Sequence, residues 1–248
     1  MTTIYILWLR QLKRYWRSRS RIFGSLGQPI FLLISLGFGM KSTFAQAGRG
    51  DYINFLSPGI IAQAVIFMAI FSGIELIWDR QFGFLKETLV APVSRFKIVI
   101  GRTLGGATVA VLQGCIVFIL TLFVGFRPTN IILLPVALVI LFLISILYTA
   151  LGTAIASTLK DLHGFQLIMN FLVMPSFFLS GALFPLQEAP NLLKNISLMN
   201  PLTYGVDALR QTLTGTGYFG IETDILILTT LSTLLLIIGS YLFSKIEI

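Results

Sequence analysis

Residues 131 to 157 read IILLPVALVILFLISILYTALGTAIAS, a stretch without a charged side chain. About 20 apolar residues in a helix cross the hydrocarbon core of a bilayer, so this stretch predicts a membrane-spanning helix. The rest of the chain is similarly apolar, since 56% of its 248 residues are hydrophobic and 11% are charged. Soluble domains carry about 25% charged residues. Too few charges are therefore present to cover a water-soluble globule.

Five further segments are long and apolar enough to cross a bilayer. The six predicted spans cover about residues 22–40, 58–78, 103–125, 131–156, 165–183 and 225–243. Pro29 and Pro175 interrupt the first and fifth spans and predict kinks there, because proline removes a backbone hydrogen-bond donor. We predict an all-α polytopic membrane protein, with an interfacial helix over residues 1–21 and one transmembrane domain over residues 22–248.

Lysine and arginine are distributed unequally between the two sides of these spans. Thirteen precede the first span, occupy the second-to-third and fourth-to-fifth loops or follow the last span, whereas five lie on the opposite side. Cytoplasmic segments are enriched in Lys and Arg, so both termini are predicted to be cytoplasmic, in the inner membrane of a bacterium or archaeon. The net charge of +8 then reflects topology and contact with membrane lipids, and no nucleic-acid partner is expected.

The basic residues before the first span lie on one helical face. Arg10, Lys13, Arg14 and Arg17 are spaced by three and four residues. The opposite face is apolar or aromatic and carries Tyr5, Trp8, Leu12, Tyr15 and Trp16. A basic face backed by Trp and Tyr is typical of a helix that lies flat in the membrane interface. The alternative is a basic cytoplasmic leader without a specific structure.

No residue pattern predicts catalysis in this chain. The sequence lacks a glycine-rich phosphate loop ending in Lys-Ser or Lys-Thr, so it is not expected to bind ATP and Mg²⁺ itself. His163 and Cys115 are the single histidine and cysteine, whereas catalytic bases and metal ligands occur in clusters. We therefore expect no catalytic residue, cofactor site or metal site in this chain.

Few ionisable side chains lie within the predicted spans, which argues against a proton relay. Glu75 lies one turn from the cytoplasmic edge of the second span and either extends towards Arg80 or the lipid headgroups, or has a functional role. Polar side chains that join helices or line a pathway are Gln28, Gln63, Glu75, Gln166 and Asn170. The sequence does not distinguish these two roles.

The second-to-third loop, residues 79–102, combines charged and apolar side chains. It begins with DRQFGFLKETLVAPVSR over residues 79–95. Residues Phe84 to Val90 predict a short amphipathic helix, which ends because Pro92 disfavours a helical conformation at Ala91. Exposed apolar groups surrounded by charge are typical of a docking surface. The alternative is a helix that only lies on the membrane.

Residues 184–210 form an apolar segment that prolines divide into pieces too short to span. Pro185, Pro190 and Pro201 interrupt it. Non-helical backbone at membrane depth is stable only when it is buried in protein or lines a cavity, so we predict a re-entrant hairpin at the outer end of a pathway. Asp207 and Arg210 are spaced for an ion pair on one helix face.

Two blocks of sequence resemble the type-2 ATP-binding-cassette exporter permeases. The first is residues 79–95 followed by Gly101, Gly105 and Gly106. The second is SGALFP at residues 180–185, followed by Pro190 and by NPLTY at residues 200–204. Together they are similar to daunorubicin-resistance-type drug exporters and to nodulation-factor and polysaccharide export permeases. The resemblance covers essentially the whole chain.

This resemblance implies the membrane subunit of an exporter of an amphiphilic drug, lipid or lipid-linked glycan. Separate nucleotide-binding subunits would bind ATP and Mg²⁺, and a second permease copy would complete a homodimer or a close heterodimer. The implied ATPase-coupling residues are Asp79, Arg80, Phe84, Leu85, Glu87, Leu89, Pro92 and Arg95. The implied residues of the outer gate are Gly181, Pro185, Pro190, Asn200, Pro201 and Tyr204. The alternative function is a carrier or channel that needs no ATP.

One position departs from the family pattern. Gln81 stands where the family often has a second acidic residue after its Asp-Arg pair. If that carboxylate pairs with the ATPase, Glu87 is the candidate to replace it.

Overall fold

The computed structural model describes residues 2–48, 50–159 and 161–246, and the regular elements in these ranges are all helical. In chain order the α-helices are α1 (Thr2–Arg17), α2 (Arg19–Gly39), α3 (Lys41–Gln46), α4 (Tyr52–Phe71), α5 (Ile74–Gln81), α6 (Phe84–Val90), α7 (Arg95–Val124), α8 (Leu134–Thr158), α9 (Leu162–Phe178), α10 (Asn191–Met199), α11 (Pro201–Thr214) and α12 (Ile221–Ser244). Short 3₁₀ turns cover Ile131–Leu133 and Leu186–Glu188. Arg49 and Lys160, which contributed to the predicted charge asymmetry, lie outside the described residues.

Five segments of the described chain are long and apolar enough to cross a membrane. They are Arg19–Gly39, Tyr52–Gln81, Arg95–Val124, Ile131–Thr158 and Ile221–Ser244. These segments coincide with five of the predicted spans and confirm a multi-pass membrane protein. The predicted fifth span corresponds to α9, which has 17 residues and ends at Phe178, before the expected residue 183. The total of six spans therefore stays a prediction.

The second span forms the centre of the molecule and is broken once. Nearly all of α4 is buried, and α2, α7, α8, α9 and α11 pack around it. Between α4 and α5 the helix is interrupted at Ser72 and Gly73. A Cβ atom at Gly73 would lie 2.5 Å from the carbonyl oxygen of Gly152 in α8 and 2.9 Å from the Phe165 ring in α9. This crossing needs a residue without a side chain.

The N-terminal helix α1 runs alongside the first half of α7 in the same direction. A Cβ atom at Gly101 would lie 3.1 Å from the backbone of Ile4, and one at Gly105 would lie 2.6 Å from the side chain of Gln11. Further along both helices, the Tyr15 hydroxyl donates to Gln113 Oε1 at 2.8 Å. The direction of α1 therefore follows that of the first half of α7. Its predicted orientation flat in the interface stays a prediction.

The face of α1 that packs on α7 differs in part from the aromatic face expected from sequence. Leu7, Gln11 and Tyr15 are buried against α7. Tyr5 and Trp16, which were expected on the same side as Tyr15, are 58% and 76% exposed. The glycines at positions 101 and 105 form the groove that receives the buried face, which gives a packing reason for part of the family-like motif.

The close crossing at Gly73 predicts a specific sensitivity to added volume. The Gly73→Ala substitution should lower the thermal midpoint of the purified chain in detergent, because overpacking costs about 1–3 kcal/mol. Gly27 in α2 is the matched control, since no neighbouring atom lies within 4 Å of a Cβ atom there. Gly27→Ala should leave the midpoint unchanged or raise it. Equal midpoints for the two variants would show that the crossing is not tight.

Candidate functional site

Two buried carboxylates on α5 define the most highly charged part of the structure. Glu75 and Asp79 are four residues apart on one face of the helix and are 3% and 2% exposed. An ionised carboxylate is costly to bury unless cations and hydrogen bonds compensate for the lost hydration. The partners of these two side chains therefore decide how the surrounding helices are held.

Asp79 is bound by arginines from two other helices. Arg102 of α7 donates from Nη1 to Asp79 Oδ2 at 2.7 Å. Arg10 of α1 approaches in a bidentate manner, with Nη2 at 2.7 Å from Oδ1 and Nη1 at 3.1 Å from Oδ2. Paired N–H···O bonds between guanidinium and carboxylate are the strongest form of this interaction. Asp79 therefore ties α1 and α7 to the end of the second span.

Glu75 binds the segment between α1 and the first span. Arg21 Nη1 donates to Glu75 Oε1 at 2.7 Å, and Arg14 Nη1 lies 3.5 Å from Oε2. Arg14 also reaches Asp79, with Nη2 at 3.7 Å from Oδ1. Neither alternative proposed for Glu75 from sequence included these partners. The alternative in which Glu75 extends towards Arg80 is wrong, because Arg80 donates to the carbonyl oxygens of Leu159 and Ser157.

The predicted short helix over Phe84 to Val90 is confirmed as α6. It follows a sharp turn at Gly83, where φ is +80°, a backbone conformation that glycine adopts without strain. The guanidinium of Arg10 lies 3.7 Å from the centre of the Phe84 ring, so one arginine contacts both Asp79 and α6. This cation–π contact connects α6 to the two carboxylates and their arginines. These six residues, here called the charged cluster, are Glu75, Asp79, Arg10, Arg14, Arg21 and Arg102.

The exposed surface of α6 differs from the one expected from sequence. Leu85 is 2% exposed and belongs to the hydrophobic core, so its expected place on a docking surface is wrong. Leu89 is half-buried. Phe82 and Val90 are 83% and 78% exposed and flank the charged side chains of α6. Leu85 anchors the helix, and the residues at its two ends supply the exposed apolar surface.

Two other arginines of this loop stabilise helix ends. Arg80 donates to the carbonyl oxygens of Leu159 and Ser157, at 2.7 and 3.1 Å, where α8 ends. Arg95 donates to the carbonyl oxygens of Ser244 and Ile246, where α12 ends. Carbonyls at a helix C-terminus have no partner within the helix, and cations are favourable there. Pro92 lies exposed in the turn before α7.

Residues 184–210, here called the outer segment after their predicted position, are held in place by an arginine and an asparagine. Arg210 Nη2 donates to the carbonyl oxygen of Gly181 at 2.9 Å, and its guanidinium lies 4.0 Å from the centre of the Phe55 ring. Burial lowers the pKa of Arg210 to about 10, which leaves it charged at neutral pH. Asn200 accepts from the Leu202 amide and donates to the Ser176 carbonyl at 2.6 Å, which joins α11 to α9.

The expected ion pair between Asp207 and Arg210 is wrong. The carboxylate of Asp207 accepts the backbone N–H groups of Tyr218 and Phe219, each at 2.8 Å, and so fixes the turn before α12. Tyr204 donates to the carbonyl oxygen of Leu198 at 2.8 Å.

The three prolines of the outer segment mark helix starts. Pro185 and Pro190 immediately precede helical turns, and Pro201 is the first residue of α11. Proline is well tolerated at such positions because its fixed φ suits the first turn of a helix and its missing N–H has no helical partner there. The prolines divide the segment into the short helices α10 and α11, and the re-entrant hairpin expected here stays a prediction.

The neutral polar residues of the spans fall into two groups. Gln63 in α4 is buried, as expected for a side chain between helices. Gln28 is half-buried, and Gln166 and Asn170 are exposed one turn apart on α9. An exposed amide within an apolar helix has no compensating partner in hydrocarbon. The exposed face of α9 is therefore the better candidate for contact with another chain or a substrate.

The apolar spans, with buried charge at one end of the second of them, describe a multi-pass membrane protein. Residues 2–214 match the ABC-2 type transporter family, and the chain belongs to this family. The match extends from α1 to α11 and includes both the charged cluster and the outer segment. It confirms the resemblance seen in the sequence and makes the chain a transport permease.

Similar chains include the transport permease ycf38 of two algae. The chain is 29% identical to ycf38 of Porphyra purpurea, over 96% of this chain and 86% of the relative. It is 33% identical to ycf38 of Cyanophora paradoxa, over 81% and 69%. Nodulation protein J of Rhizobium leguminosarum bv. viciae is 27% identical, over 78% and 75%.

The ion pairs of Asp79 predict a large stability effect from one substitution. Asp79→Asn keeps the shape of the side chain but leaves Arg10 and Arg102 without their anion. Breaking a buried ion pair costs about 3–5 kcal/mol, so the thermal midpoint in detergent should fall by several degrees or more. Glu222→Gln is the control, because Glu222 is exposed in the first turn of α12. A similar midpoint for the two variants would contradict the assigned role of Asp79.

Proposed function

We propose that this chain is the membrane-spanning subunit of an ATP-driven exporter in the inner membrane of a bacterium or archaeon. Separate subunits bind ATP and Mg²⁺ and hydrolyse the nucleotide. Membership of the ABC-2 type transporter family supports this proposal. The observation that carries it is α6, which is exposed at both ends, anchored by Leu85 and connected to the charged cluster through Arg10.

The ATPase subunit docks on the exposed side of α6. Phe82 and Val90 provide apolar contacts, and Lys86 and Glu87 lie exposed between them. An apolar patch surrounded by charge has the character of a protein interface. Asp79, Arg80 and Arg95, which were also expected to couple to the ATPase, act indirectly because their side chains bind other helices of this chain.

Movement of α6 reaches the spans through the charged cluster. Arg10 connects Phe84 to Asp79, and Asp79 connects α5 to Arg102 of α7. Separating Asp79 from both arginines would leave a buried carboxylate without a partner, which is strongly unfavourable, and the cation–π contact of Arg10 holds Phe84 of α6 to this pair. The cluster therefore moves as a unit with α6. In this proposal both termini and α6 lie on the cytoplasmic side.

A second copy of the chain covers the exposed faces of α2 and α9. Both helices pack against α4, and each exposes large apolar side chains, among them Phe31 of α2 and Phe171 of α9. Gln166 and Asn170 are exposed on α9 and would gain hydrogen-bond partners at such an interface. We place the pathway between the two copies, and its apolar walls suit an amphiphilic drug, lipid or lipid-linked glycan.

The buried carboxylates do not favour an ATP-independent carrier. A proton relay needs a carboxylate that can exchange its proton, whereas arginines bind both Glu75 and Asp79. The cluster therefore serves structure and coupling better than proton transfer.

The docking surface is tested with the double variant Phe82→Asp and Val90→Asp. The few side chains that dominate an interface cost at least about 2 kcal/mol when substituted, so recovery of a nucleotide-binding subunit with the tagged chain should fall about 30-fold if Phe82 and Val90 are among them. Mild-detergent purification from native membranes, with quantification of co-eluting proteins, measures this recovery. The control Asn191→Asp also introduces a carboxylate, at an exposed residue in the first turn of α10 outside the membrane spans. It should retain the partner.

Two outcomes contradict the proposal in different ways. Unchanged recovery of the ATPase with the double variant would exclude this surface of α6 as the docking site. Absence of any nucleotide-binding protein from the unsubstituted chain would contradict the ATP-driven function itself. The thermal midpoints of all variants should agree within a few degrees, because the substituted side chains are exposed.

A further inference from the structure

A groove of about 950 Å³ runs along the basic face of α1 and the first turn of α2. Five cationic side chains line it, namely Arg10, Lys13, Arg14, Arg17 and Arg19. Such a concentration of one charge sign in a concave surface raises the local concentration of ions of the opposite sign. The groove therefore has the electrostatic character of an anion-binding site.

The positive charge of this region exceeds the negative charge that the protein supplies. Arg10 and Arg14 lie in the groove, but their guanidinium groups already contact Asp79 and Glu75. Arg21 and Arg102 bind the same two carboxylates from outside the groove. Within the described residues, no ion pair involves Lys13, Arg17 or Arg19. These three exposed side chains are left to bind an anion from outside the chain.

The apolar surroundings of the groove identify the class of anion. Ile6 and Leu9 of α1 line the groove beside these cations, and Ile6 is 61% exposed. Phe23, at the start of the first span, is 72% exposed. A soluble anion would occupy only the cations and leave these side chains uncovered. An amphiphile would place its charged group in the groove and its chains along α2, where Trp and basic residues typically meet the headgroup layer.

We infer that Lys13, Arg17 and Arg19 form a binding site for the phosphate headgroup of an anionic membrane lipid. The acyl chains of this lipid lie along the exposed apolar face of α2. This phosphate site lies in the same groove as Arg10 and Arg14. A bound phosphate therefore offsets the excess positive charge beside Asp79 and Glu75. Anionic lipid should therefore hold α1 against α7. The inference depends on insertion in a membrane and is independent of ATP coupling.

Native mass spectrometry of the purified, delipidated full-length chain tests this site. The probes are phosphatidylglycerol, phosphatidylcholine with the same acyl chains, and glycerol 3-phosphate as the soluble headgroup. The test variant is Lys13→Gln, Arg17→Gln and Arg19→Gln together. The control variant is Lys41→Gln, Lys97→Gln and Lys245→Gln, which removes the same charge at exposed positions outside the groove.

Phosphatidylglycerol should bind the unsubstituted chain and the control variant at least about tenfold more tightly than it binds the test variant, because each basic residue near an anionic headgroup strengthens binding. Phosphatidylcholine should bind all three proteins equally weakly. Equal binding of phosphatidylglycerol to the test and control variants would overturn the site. Competition by glycerol 3-phosphate at the concentration of the lipid would also overturn it, because the ligand would then be a soluble phosphate ester.

A second pair of variants separates binding from folding. Arg17→Lys keeps the charge and should retain phosphatidylglycerol, whereas Arg17→Glu reverses it and should reduce binding further than Arg17→Gln. Arg17 is exposed, so the three variants should share one thermal midpoint in the absence of lipid. Binding that does not follow the charge at this position would contradict the inference even if the triple variant failed to fold.

Discussion

A buried carboxylate is stable only when cations and hydrogen-bond donors contact it. The helices at one end of this protein are arranged to provide those contacts. Asp79 is 2% exposed and draws Arg102 from α7 and Arg10 from α1 to within 2.7 Å. Glu75, one turn away, binds Arg21 at the start of α2. If α1 left α7, Asp79 would keep Arg102 but lose its bidentate partner Arg10, so the departure of α1 would weaken the pairing of a buried charge. The short helix α6 joins this assembly through the contact between Arg10 and Phe84.

Arginine also completes the helix ends away from this cluster. Arg80 binds carbonyls at the end of α8, and Arg95 binds carbonyls at the end of α12. At the other end of the molecule, Arg210 binds the carbonyl of Gly181 in the turn after α9. Backbone groups near a bilayer have little water to bind and need partners within the protein. The same side-chain chemistry therefore stabilises the loop that contains α6 and the outer segment.

Sequence periodicity predicted the elements better than their partners. The bounds of α6 follow from Gly83, from Pro92 and from the amphipathic pattern between them, all of which are local signals. The spans follow from apolar length, but α9 ends early because the chain turns at Gly181, where φ is +72°. The break at Ser72 and Gly73 depends on close contact with Gly152 of another helix. No local pattern reports a contact of that kind.

In the candidate site, too, the sequence predicted the helices but not the contacts between them. The basic face of α1 was evident from residue spacing, but its bonds to Asp79 and Glu75 connect residues far apart in the sequence. Leu85 was expected on the exposed side of α6 because amphipathic spacing does not reveal which side faces the protein. The glycines at 101 and 105 carried a usable signal, since small residues spaced by four in a span commonly receive another helix.

The central claim is that α1 and α6 move as one body because Arg10 joins them through Asp79 and Phe84. It is tested most directly by the distance between spin labels on Trp16 of α1 and Thr88 of α6, each replaced by cysteine in a Cys115→Ala background. In the assembled complex this distance within one chain should be the same without nucleotide and after trapping with ATP and vanadate. In Arg10→Gln it should broaden or shift. A clear shift on trapping while Arg10 is intact would contradict the claim.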